Sequence, residues 1–297
     1  MPIPESQLET WSHQGAVTTS SATYRSIQTA LAADSSPIKG KDYEIYLQGS
    51  YKNDTNIRGD SDVDIVVQLN DTFGRDLAAL PESQKRLYQA AHSSATYLWG
   101  DFRKDVLQAL RYYYGLRAVT EGDKSLKLAA DKGRLAADVV PALHFRKYQY
   151  FYSLGNEGFV DGIKFLNRPD SRQVINFPKP HYKNGVAKHA RTNQWYKPTV
   201  RMFKNARTHL IDDGTISEDL APSYFLECLL YNATDAKFGR SFEDTFVEIF
   251  NWLWEARIDG LVCQNEELPL FGTSPEQWDA LKAKQLLEAL KELWENW

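Results

Sequence analysis

Short hydrophobic runs predict three strands in the first half of the chain. They occupy residues 43–48 (YEIYLQ), 62–69 (DVDIVVQL) and 135–140 (LAADVV). Valine, isoleucine and tyrosine recur in them, and these residues favour strands. Residues 49–61 are polar and rich in turn-forming residues, so we expect a loop between the first two strands. Pro141 is expected to end the third strand, because proline lacks the amide that a sheet requires.

Hydrophobic residues spaced three or four positions apart predict helices on either side of these strands. Residues 18–33 begin with a Thr/Ser cluster that suits a helix N-terminus, and residues 81–114 have a helical pattern that starts at a proline. Beyond about residue 185 almost every segment is expected to be helical, most clearly residues 198–210, 222–231, 241–257 and 275–297. We therefore predict an α+β fold in two lobes, a mixed α/β lobe of residues 1–180 and a helical lobe of residues 181–297.

The composition narrows the class of protein. With 297 residues, 42% of them hydrophobic, the chain can bury a large core. It has no apolar run long enough for a membrane span and no signal-peptide pattern, so we expect a cytoplasmic protein without membrane partners. Cys228 and Cys263 stand far apart and outside any Cys/His cluster, which argues against a disulfide framework or a structural zinc site.

Charge is distributed unevenly, although the net charge is only −4. Residues 172–211 contain nine basic residues and no acidic one, whereas acidic residues dominate from residue 213 onwards. A basic segment within an acidic chain favours a localised anion-binding site over a broad nucleic-acid-binding surface. A solvated basic stretch is the alternative interpretation.

Three aspartates are candidate catalytic residues and metal ligands. Side chains alternate along a strand, so Asp62 and Asp64 project to the same side of theirs. Two neighbouring carboxylates repel each other unless they share a cation, and Mg²⁺ prefers carboxylate and phosphate oxygens. Asp138 lies in an apolar strand, where a carboxylate without a partner is costly. We predict that the three hold two Mg²⁺ ions, with Mn²⁺ as the alternative ion, for in-line phosphoryl transfer. Each alone is also compatible with a solvated or capping aspartate.

Gly49 and Ser50 follow the first strand and are candidate phosphate ligands. Glycine lets the backbone approach a phosphate closely, and serine adds a hydroxyl donor beside free backbone amides. Taken alone, the pair would equally suit an ordinary turn. Because the next strand carries Asp62 and Asp64, the combination predicts that phosphate and metal are bound side by side.

The helical half supplies three further candidates for nucleotide binding. Lys197, Arg201 and Lys204 fall on one face of a helix, and we expect Lys204 to contact a triphosphate directly. Ser223 opens the next helix among amides that lack intrahelical partners, and such amides attract anions. Tyr224 is suited either to stacking on a base or to packing in the core.

Together these segments resemble a known family. Residues 49–50 (GS), 61–67 (SDVDIVV) and 137–141 (ADVVP) resemble the polymerase-β-type nucleotidyltransferase superfamily. Three later segments resemble the bacterial cGAS/DncV-like nucleotidyltransferases within it, namely residues 177–185 (FPKPHYKNG), 196–204 (YKPTVRMFK) and 222–227 (PSYFLE). The resemblance extends from the helix at residues 18–33 to at least Phe250.

The resemblance implies a bilobal, polymerase-β-like enzyme with a role for each candidate. Such enzymes join nucleoside triphosphates and cyclise them into a di- or trinucleotide second messenger with release of pyrophosphate. By position, Asp62 and Asp64 would bind both metals, and Asp138 would bind the catalytic metal and help deprotonate the attacking 3′-hydroxyl. Tyr224 would stack on a base. The donor triphosphate would be held by the other four candidates, Gly49, Ser50, Lys204 and Ser223.

Partners and substrates follow from the same resemblance. We expect ATP together with UTP or GTP as substrates, and a separate effector protein that the product activates in anti-phage defence. The Cys/His zinc insertion of the animal DNA-sensing members is absent, so double-stranded DNA is not an expected activator and no stably bound nucleic acid is expected. We also expect a monomer. Asn156, Asn167 and Asn176 are equal candidates for an amide that reads the base.

Three alternatives share parts of this pattern. A template-independent nucleotidyltransferase could extend an RNA 3′ end, and a related enzyme could label a small molecule or a protein. The acidic net charge weighs against an RNA platform, and the large helical half weighs against the smallest labelling enzymes. An inactive nucleotide-binding regulator is the third alternative, and it would have no need of Asp138.

Overall fold

The computed structural model describes residues 2–15, 18–57 and 62–297, and for Thr18 and Thr19 only the backbone. Ser61, which belongs to the SDVDIVV segment, lies outside the described residues. The described part of the chain forms seven strands, β1 (Tyr43–Leu47), β2 (Val63–Asp76), β3 (Val119–Glu121), β4 (Leu126–Leu128), β5 (Ala137–Ser153), β6 (Asn156–Leu166) and β7 (Gln173–Asn176). The α-helices of the described residues are α1 (Glu5–Ser12), α2 (Thr18–Ala32), α3 (Gly49–Asn53), α4 (Glu82–Ala91), α5 (Trp99–Tyr114), α6 (Pro178–Arg191), α7 (Tyr196–Asp212), α8 (Ser223–Tyr231), α9 (Phe242–Glu255) and α10 (Ala280–Asn296).

All seven strands belong to one mixed sheet. Its centre is the parallel pair β2 and β5. β1 adds antiparallel to β2, while β4 and β6 both add antiparallel to β5, along different stretches of that strand. β3 completes one side next to β4, and β7 pairs with β6. The predicted α+β fold class is confirmed.

The residue pattern of β2 explains how the sheet is buried on both faces. Val63, Ile65 and Val67 are fully buried on one face, in a cluster to which α2 and α5 contribute. Val66 points to the other face and joins a smaller cluster with Val140. Because side chains alternate, Asp64 at the start of the strand shares the face of Val66. The apolar residues thus fix the strand and leave one end of that face to a polar side chain.

The chain forms two compact units, each with its own core. The sheet unit contains residues 18–51 and 62–180, and the helical unit contains residues 2–15, 52–57 and 181–297. The helical core joins Ile3 and Leu8 to buried residues of α7, α8, α9 and α10. Residues 2–15 and 52–57 were expected in the first lobe but group with the helices. Both segments are short, and the residues that they contact in the helical unit lie far away in the sequence.

Two predicted boundaries are wrong. Pro141 does not end a strand, because β5 continues through it to Ser153. It lies between Val139, where the pairing with β4 ends, and Leu143, where the pairing with β6 begins, so no ladder hydrogen bond is needed from it on that side. Residues 81–114 form two helices, since Asp101 accepts a hydrogen bond from the amide of Leu98 (3.0 Å) and starts a separate helix.

The segment after β1 also differs from the expected loop. Residues Gly49–Asn53 form the short helix α3, while the later part of the expected loop, residues 58–61, lies outside the described residues. The strands β3, β4, β6 and β7 and the helix α1 had no counterpart among the predicted elements, and α6 begins before the predicted helical region. Within the part of the chain that the structure describes, no helix has the length and hydrophobicity that a membrane span requires.

Candidate active site

The two central strands bring two of the three predicted catalytic aspartates together. In the parallel register of β2 and β5, Asp64 stands directly beside Asp138, between the pairs Val63/Ala137 and Ile65/Val139. Residues in register on neighbouring strands project to the same face. The apolar neighbours are buried on the opposite face, so the two carboxylates lie side by side on a rigid part of the sheet.

Asp62 lies one residue before β2 and is exposed. Together with Asp138 it lines a cavity of about 250 Å³. Among the described residues, no three His, Cys, Asp or Glu side chains are arranged to hold a metal ion. The donor chemistry still fits a divalent cation, because Asp64 and Asp138 stand in register and Asp62 lies two residues before Asp64. The two-metal site remains a prediction.

Gly49 lies against Asp64. It begins α3 with a φ of +67°, a conformation that residues with a side chain rarely adopt. A Cβ atom at this position would lie 2.9 Å from Cγ of Asp64 and collide with its Oδ2. The amide of the preceding Gln48 donates to the carbonyl oxygen of Asp64 (2.9 Å). The structure therefore brings the glycine of the predicted phosphate loop, and with it Ser50, next to the predicted metal ligand.

Two residues of β4 and its preceding turn belong to this site and were missed by the sequence analysis. The Ser125 hydroxyl donates to Oδ1 of Asp138 (3.0 Å), and Lys127 stands in register with Asp138 on the neighbouring strand. Asp64, Asp138 and Lys127 therefore form a row across three adjacent strands. The only sequence signal was the alternation in LKL, which is too short to predict a strand.

In the helical unit, the basic residues of α7 contact residues 52–57 and α8. Lys197 Nζ lies 2.6 Å from Oδ2 of Asp54, and Nη1 of Arg201 donates to the carbonyl oxygen of the same residue (2.5 Å). Lys204 is buried, and its Nζ lies 2.9 Å from Oε2 of Glu227 and 3.1 Å from Oγ1 of Thr55. The three cations share one face as predicted, but carboxylates and carbonyl groups already engage them. Direct contact between Lys204 and a triphosphate remains a prediction.

Glu227 is the centre of a buried polar network. Its Oε1 accepts from Asn53 (3.0 Å) and lies 3.2 Å from Nε2 of His181, while its Oε2 accepts from Thr55 (2.9 Å) and Lys204 (2.9 Å). Burial opposes ionisation of this carboxyl, but the nearby Lys204 and His181 outweigh it and hold its pKa below the ordinary range. The network fixes residues 52–57 to α7 and α8.

Replacing this carboxylate is expected to destabilise the protein. Glu227→Gln leaves Lys204 buried without a counter-charge, and we expect a loss of about 3 kcal/mol in the free energy of unfolding at pH 7. The lowered pKa makes the carboxylate stabilising above its unfolded value of 4.5, and this contribution disappears as the pH falls below that value. Urea unfolding at pH 7 and pH 3.5 should therefore show a difference between wild type and variant that shrinks in acid.

An exposed ion pair provides the control. Glu248 pairs with Lys237 at 2.5 Å and is about half exposed. Glu248→Gln should change the free energy of unfolding far less than Glu227→Gln does, because water and salt screen an exposed pair. An equal effect of both substitutions would show that the buried network has no special weight.

Ser223 and Tyr224 occupy the first turn of α8, and both are exposed. The Tyr224 ring stacks on His181, with 5.4 Å between the centroids and 22° between the planes. It therefore lies at the edge of the helical unit and not in its core. Its role in stacking on a base, like that of Ser223 in phosphate binding, remains a prediction.

The three candidate base readers differ in position. Asn156 pairs with Ser153 at the far end of β5, fifteen residues beyond Asp138 and roughly 50 Å away along the strand. Asn156 therefore belongs to the opposite end of β5 from Asp138, and a role for it in reading a base stays a prediction. Asn167 donates to Asp170 (2.7 Å), and the side-chain oxygen of Asn176 accepts from the amide of Phe177 (2.8 Å).

Comparison with known proteins agrees with this geometry. The model of the cGAS/DncV-like nucleotidyltransferase C-terminal helical domain matches residues 183–295, and that of the nucleotidyltransferase domain matches residues 31–127. The cyclic UMP-AMP synthase of Rhodothermus marinus is 52% identical over 297 residues, which cover 100% of this chain and 99% of that protein. The cyclic nucleotide synthase CdnE01 of Staphylococcus haemolyticus is 39% identical over 302 residues and is covered completely, as is this chain.

Solved structures show the same relationship. The Rhodothermus marinus CdnE c-UMP-AMP synthase with Apcpp and Upnpp superimposes with a TM-score of 0.91 at 50% identity, over 100% of this chain and 98% of that one. The Elizabethkingia meningoseptica CdnE cyclic dinucleotide synthase with GTP and Apcpp gives a TM-score of 0.77 at 29% identity, over 99% and 98% of the two chains. Full-length similarity at this identity, with family models matched in both halves, shows that the chain belongs to the bacterial cGAS/DncV-like nucleotidyltransferases of the polymerase-β-type superfamily, as its motifs predicted.

Proposed function

We propose that this enzyme joins two nucleoside triphosphates and closes them into a cyclic dinucleotide. In each of two steps a ribose 3′-oxygen attacks an α-phosphorus, and the bond from that phosphorus to pyrophosphate breaks. The observation that carries the proposal is the register of Asp64 and Asp138, with Gly49 packed against Asp64. Relatives named as cyclic UMP-AMP and cyclic nucleotide synthases support it and favour ATP and UTP as substrates.

Asp62, Asp64 and Asp138 are the residues proposed to hold two Mg²⁺ ions. When bound, such ions neutralise the charge that develops on the attacking and leaving oxygens. The three carboxylates repel one another, so a shared cation would draw them together. Mn²⁺ offers the same oxygen preference and would serve as an alternative ion.

Asp138 is also proposed to accept the proton of the attacking 3′-hydroxyl. The Ser125 hydroxyl occupies one of its two carboxylate oxygens, which fixes the plane of the group. The other oxygen would then face the substrate. The Ser125 side chain is thus a positioning group for Asp138 and not itself a proton acceptor.

The donor triphosphate is assigned to four residues. Gly49 has no side chain, so the start of α3 lies against Asp64, and its backbone would hold a phosphate beside the proposed metal site. Ser50 would donate its hydroxyl. Ser223 is exposed in the first turn of α8, where backbone amides lack intrahelical partners. Lys204 would contribute charge from its place beside Glu227. Tyr224, held by stacking on His181, would take a base.

A product assay tests the proposal. The purified protein is incubated with all four nucleoside triphosphates and Mg²⁺, Mn²⁺ or EDTA, then treated with phosphatase, and the surviving species are identified by mass spectrometry. We expect a phosphatase-resistant cyclic dinucleotide that contains uridine and adenosine, and none in EDTA. Linear extension of an RNA primer, or labelling of an acceptor molecule, would contradict cyclisation while leaving nucleotidyl transfer in place.

We further propose that the protein acts as a cytoplasmic monomer and that its product activates a separate effector protein in anti-phage signalling. The family and the names of its relatives support a signalling product. Light scattering of the purified protein, and activation of a co-encoded candidate effector by the purified product, would test these two points.

A further inference from the structure

The cavity beside Asp138 is lined by two basic side chains that have no part in the roles described above. This cavity of about 250 Å³ lies in the sheet unit, and its lining includes Asp62 and Asp138 together with Arg117, Thr120 and Lys127. Lys127 stands in register with Asp138 on β4, and Thr120 in register with Lys127 on β3. The basic side chains therefore lie next to the proposed proton acceptor, on the β3 and β4 side of the sheet.

Among the described residues, neither Arg117 nor Lys127 forms an ion pair. Arg117 and Lys127 are exposed, and across the residues that the structure describes no hydrogen bond or ion pair engages either side chain. Other basic residues nearby are used differently: Arg103 and Arg168 both pair with Glu121. Arg117 and Lys127, which have no partner in the part of the chain that the structure describes, thus offer an anion site with the Thr120 hydroxyl beside two carboxylates.

The chemistry of the reaction indicates which anion fits there. The acceptor nucleotide must place its 3′-hydroxyl at Asp138, and its 5′-phosphates are attached to the same ribose through only a few covalent bonds. These phosphates therefore need positively charged side chains close to Asp138. The residues around Gly49 are already assigned to the donor triphosphate. We propose that Arg117 and Lys127 bind the 5′-triphosphate of the acceptor nucleotide, with Thr120 as a hydroxyl donor. This inference rests on the proposed function.

The exposure of the site also suits the second step. After the first bond has formed, the triphosphate of the acceptor becomes the donor group for ring closure. It must then leave Arg117 and Lys127 and move to Gly49 and Ser50. Exposed cations hold an anion less firmly than buried ones, because water and salt screen them, so the site permits this release.

An assay limited to the first bond-forming step isolates acceptor binding. A 3′-deoxynucleoside triphosphate serves only as donor, because it lacks the attacking hydroxyl, and it is used in the adenosine and the uridine form. The nucleotide of the other base is supplied as triphosphate, monophosphate or free nucleoside, and the linear product is measured by mass spectrometry. We compare wild type with the double variant Lys127→Gln/Arg117→Gln, and use Lys132→Gln, an exposed lysine of the sheet unit outside the cavity, as the charge-matched control.

The expected result is specific to phosphate. In wild type, kcat/KM for the acceptor should fall from triphosphate to nucleoside, and the double variant should lose about tenfold per cation for the triphosphate alone. The nucleoside acceptor and the donor KM should be unchanged, and Lys132→Gln should behave as wild type. An equal loss for triphosphate and nucleoside would overturn the inference, since the cations would then act through Asp138. An unchanged preference for triphosphate would overturn it as well. If wild type forms no linear product from any acceptor, the proposed function falls together with the inference.

Discussion

Asp64→Asn is expected to lower kcat by about 10³-fold or more without destabilising the protein, because a neutral amide is a poor ligand for a hard cation and a loss near 4 kcal/mol gives that factor. The side chain is only partly buried, while its neighbours Val63 and Ile65 hold the strand in the core. Asp64 also stands beside Asp138, so removing one charge relieves repulsion. Product formation is measured by mass spectrometry and the midpoint of thermal unfolding by fluorimetry, and the midpoint should stay unchanged or rise slightly.

The same substitution elsewhere on β2 provides the control. Asp76 is the last residue of the strand, twelve positions from Asp64. Asp76→Asn should leave activity at the wild-type level. If Asp64→Asn kept more than a small fraction of activity, Asp64 would not be a metal ligand. If it lost activity only in proportion to a lowered unfolding midpoint, its role would be structural. Asp62→Ala is expected to abolish turnover with the fold retained, by the same reasoning.

Gly49→Ala is expected to reduce kcat/KM by about 10²-fold. The added methyl group would collide with Oδ2 of Asp64 and lie 2.9 Å from its Cγ, which forces either the carboxylate or α3 to move. A misplacement of about 1 Å among reacting groups costs a factor of this size. The φ of +67° adds backbone strain of about 1 kcal/mol. Steady-state kinetics with ATP and UTP, and the unfolding midpoint of the same samples, separate the two effects.

Gly40→Ala isolates the strain. Gly40 has a similar φ of +83°, but among the described residues no atom beyond its own chain neighbours lies within 4 Å of where its Cβ would stand. We expect a comparable drop in the unfolding midpoint from both substitutions and a loss of activity from Gly49→Ala alone. Equal activity of the two variants would show that the contact between Gly49 and Asp64 does not affect catalysis.

The strands that carry the site were predictable because their patterns are local. Val63, Ile65 and Val67 alternate with the residues of the other face, and the structure buries all three completely. The register that sets Asp64 beside Asp138 could not be predicted in this way. It joins residues more than seventy positions apart through a parallel pairing, and no local pattern specifies such a pairing.

Other features could not be predicted from the sequence either, because they too depend on contacts between distant residues or on segments too short to show a pattern. β4 has three residues, so its pattern is too short to distinguish from a loop, and Ser125 and Lys127 were missed with it. The face of α7 was predicted correctly, but its partner Glu227 belongs to α8, and neither helix alone shows that they meet. Pro141 was misjudged because the change of partner strand beside it depends on the whole sheet.

The discontinuous helical unit limits how the chain can be dissected. A fragment that stops near residue 180 would keep Ile3 and Leu8 but lose the apolar surface that buries them, and it would leave Asn53 and Thr55 without Glu227. A fragment that starts near residue 180 would lack residues 2–15 and 52–57, which belong to the helical unit. Neither half is therefore expected to fold on its own, and a cut near residue 180 should destabilise both fragments.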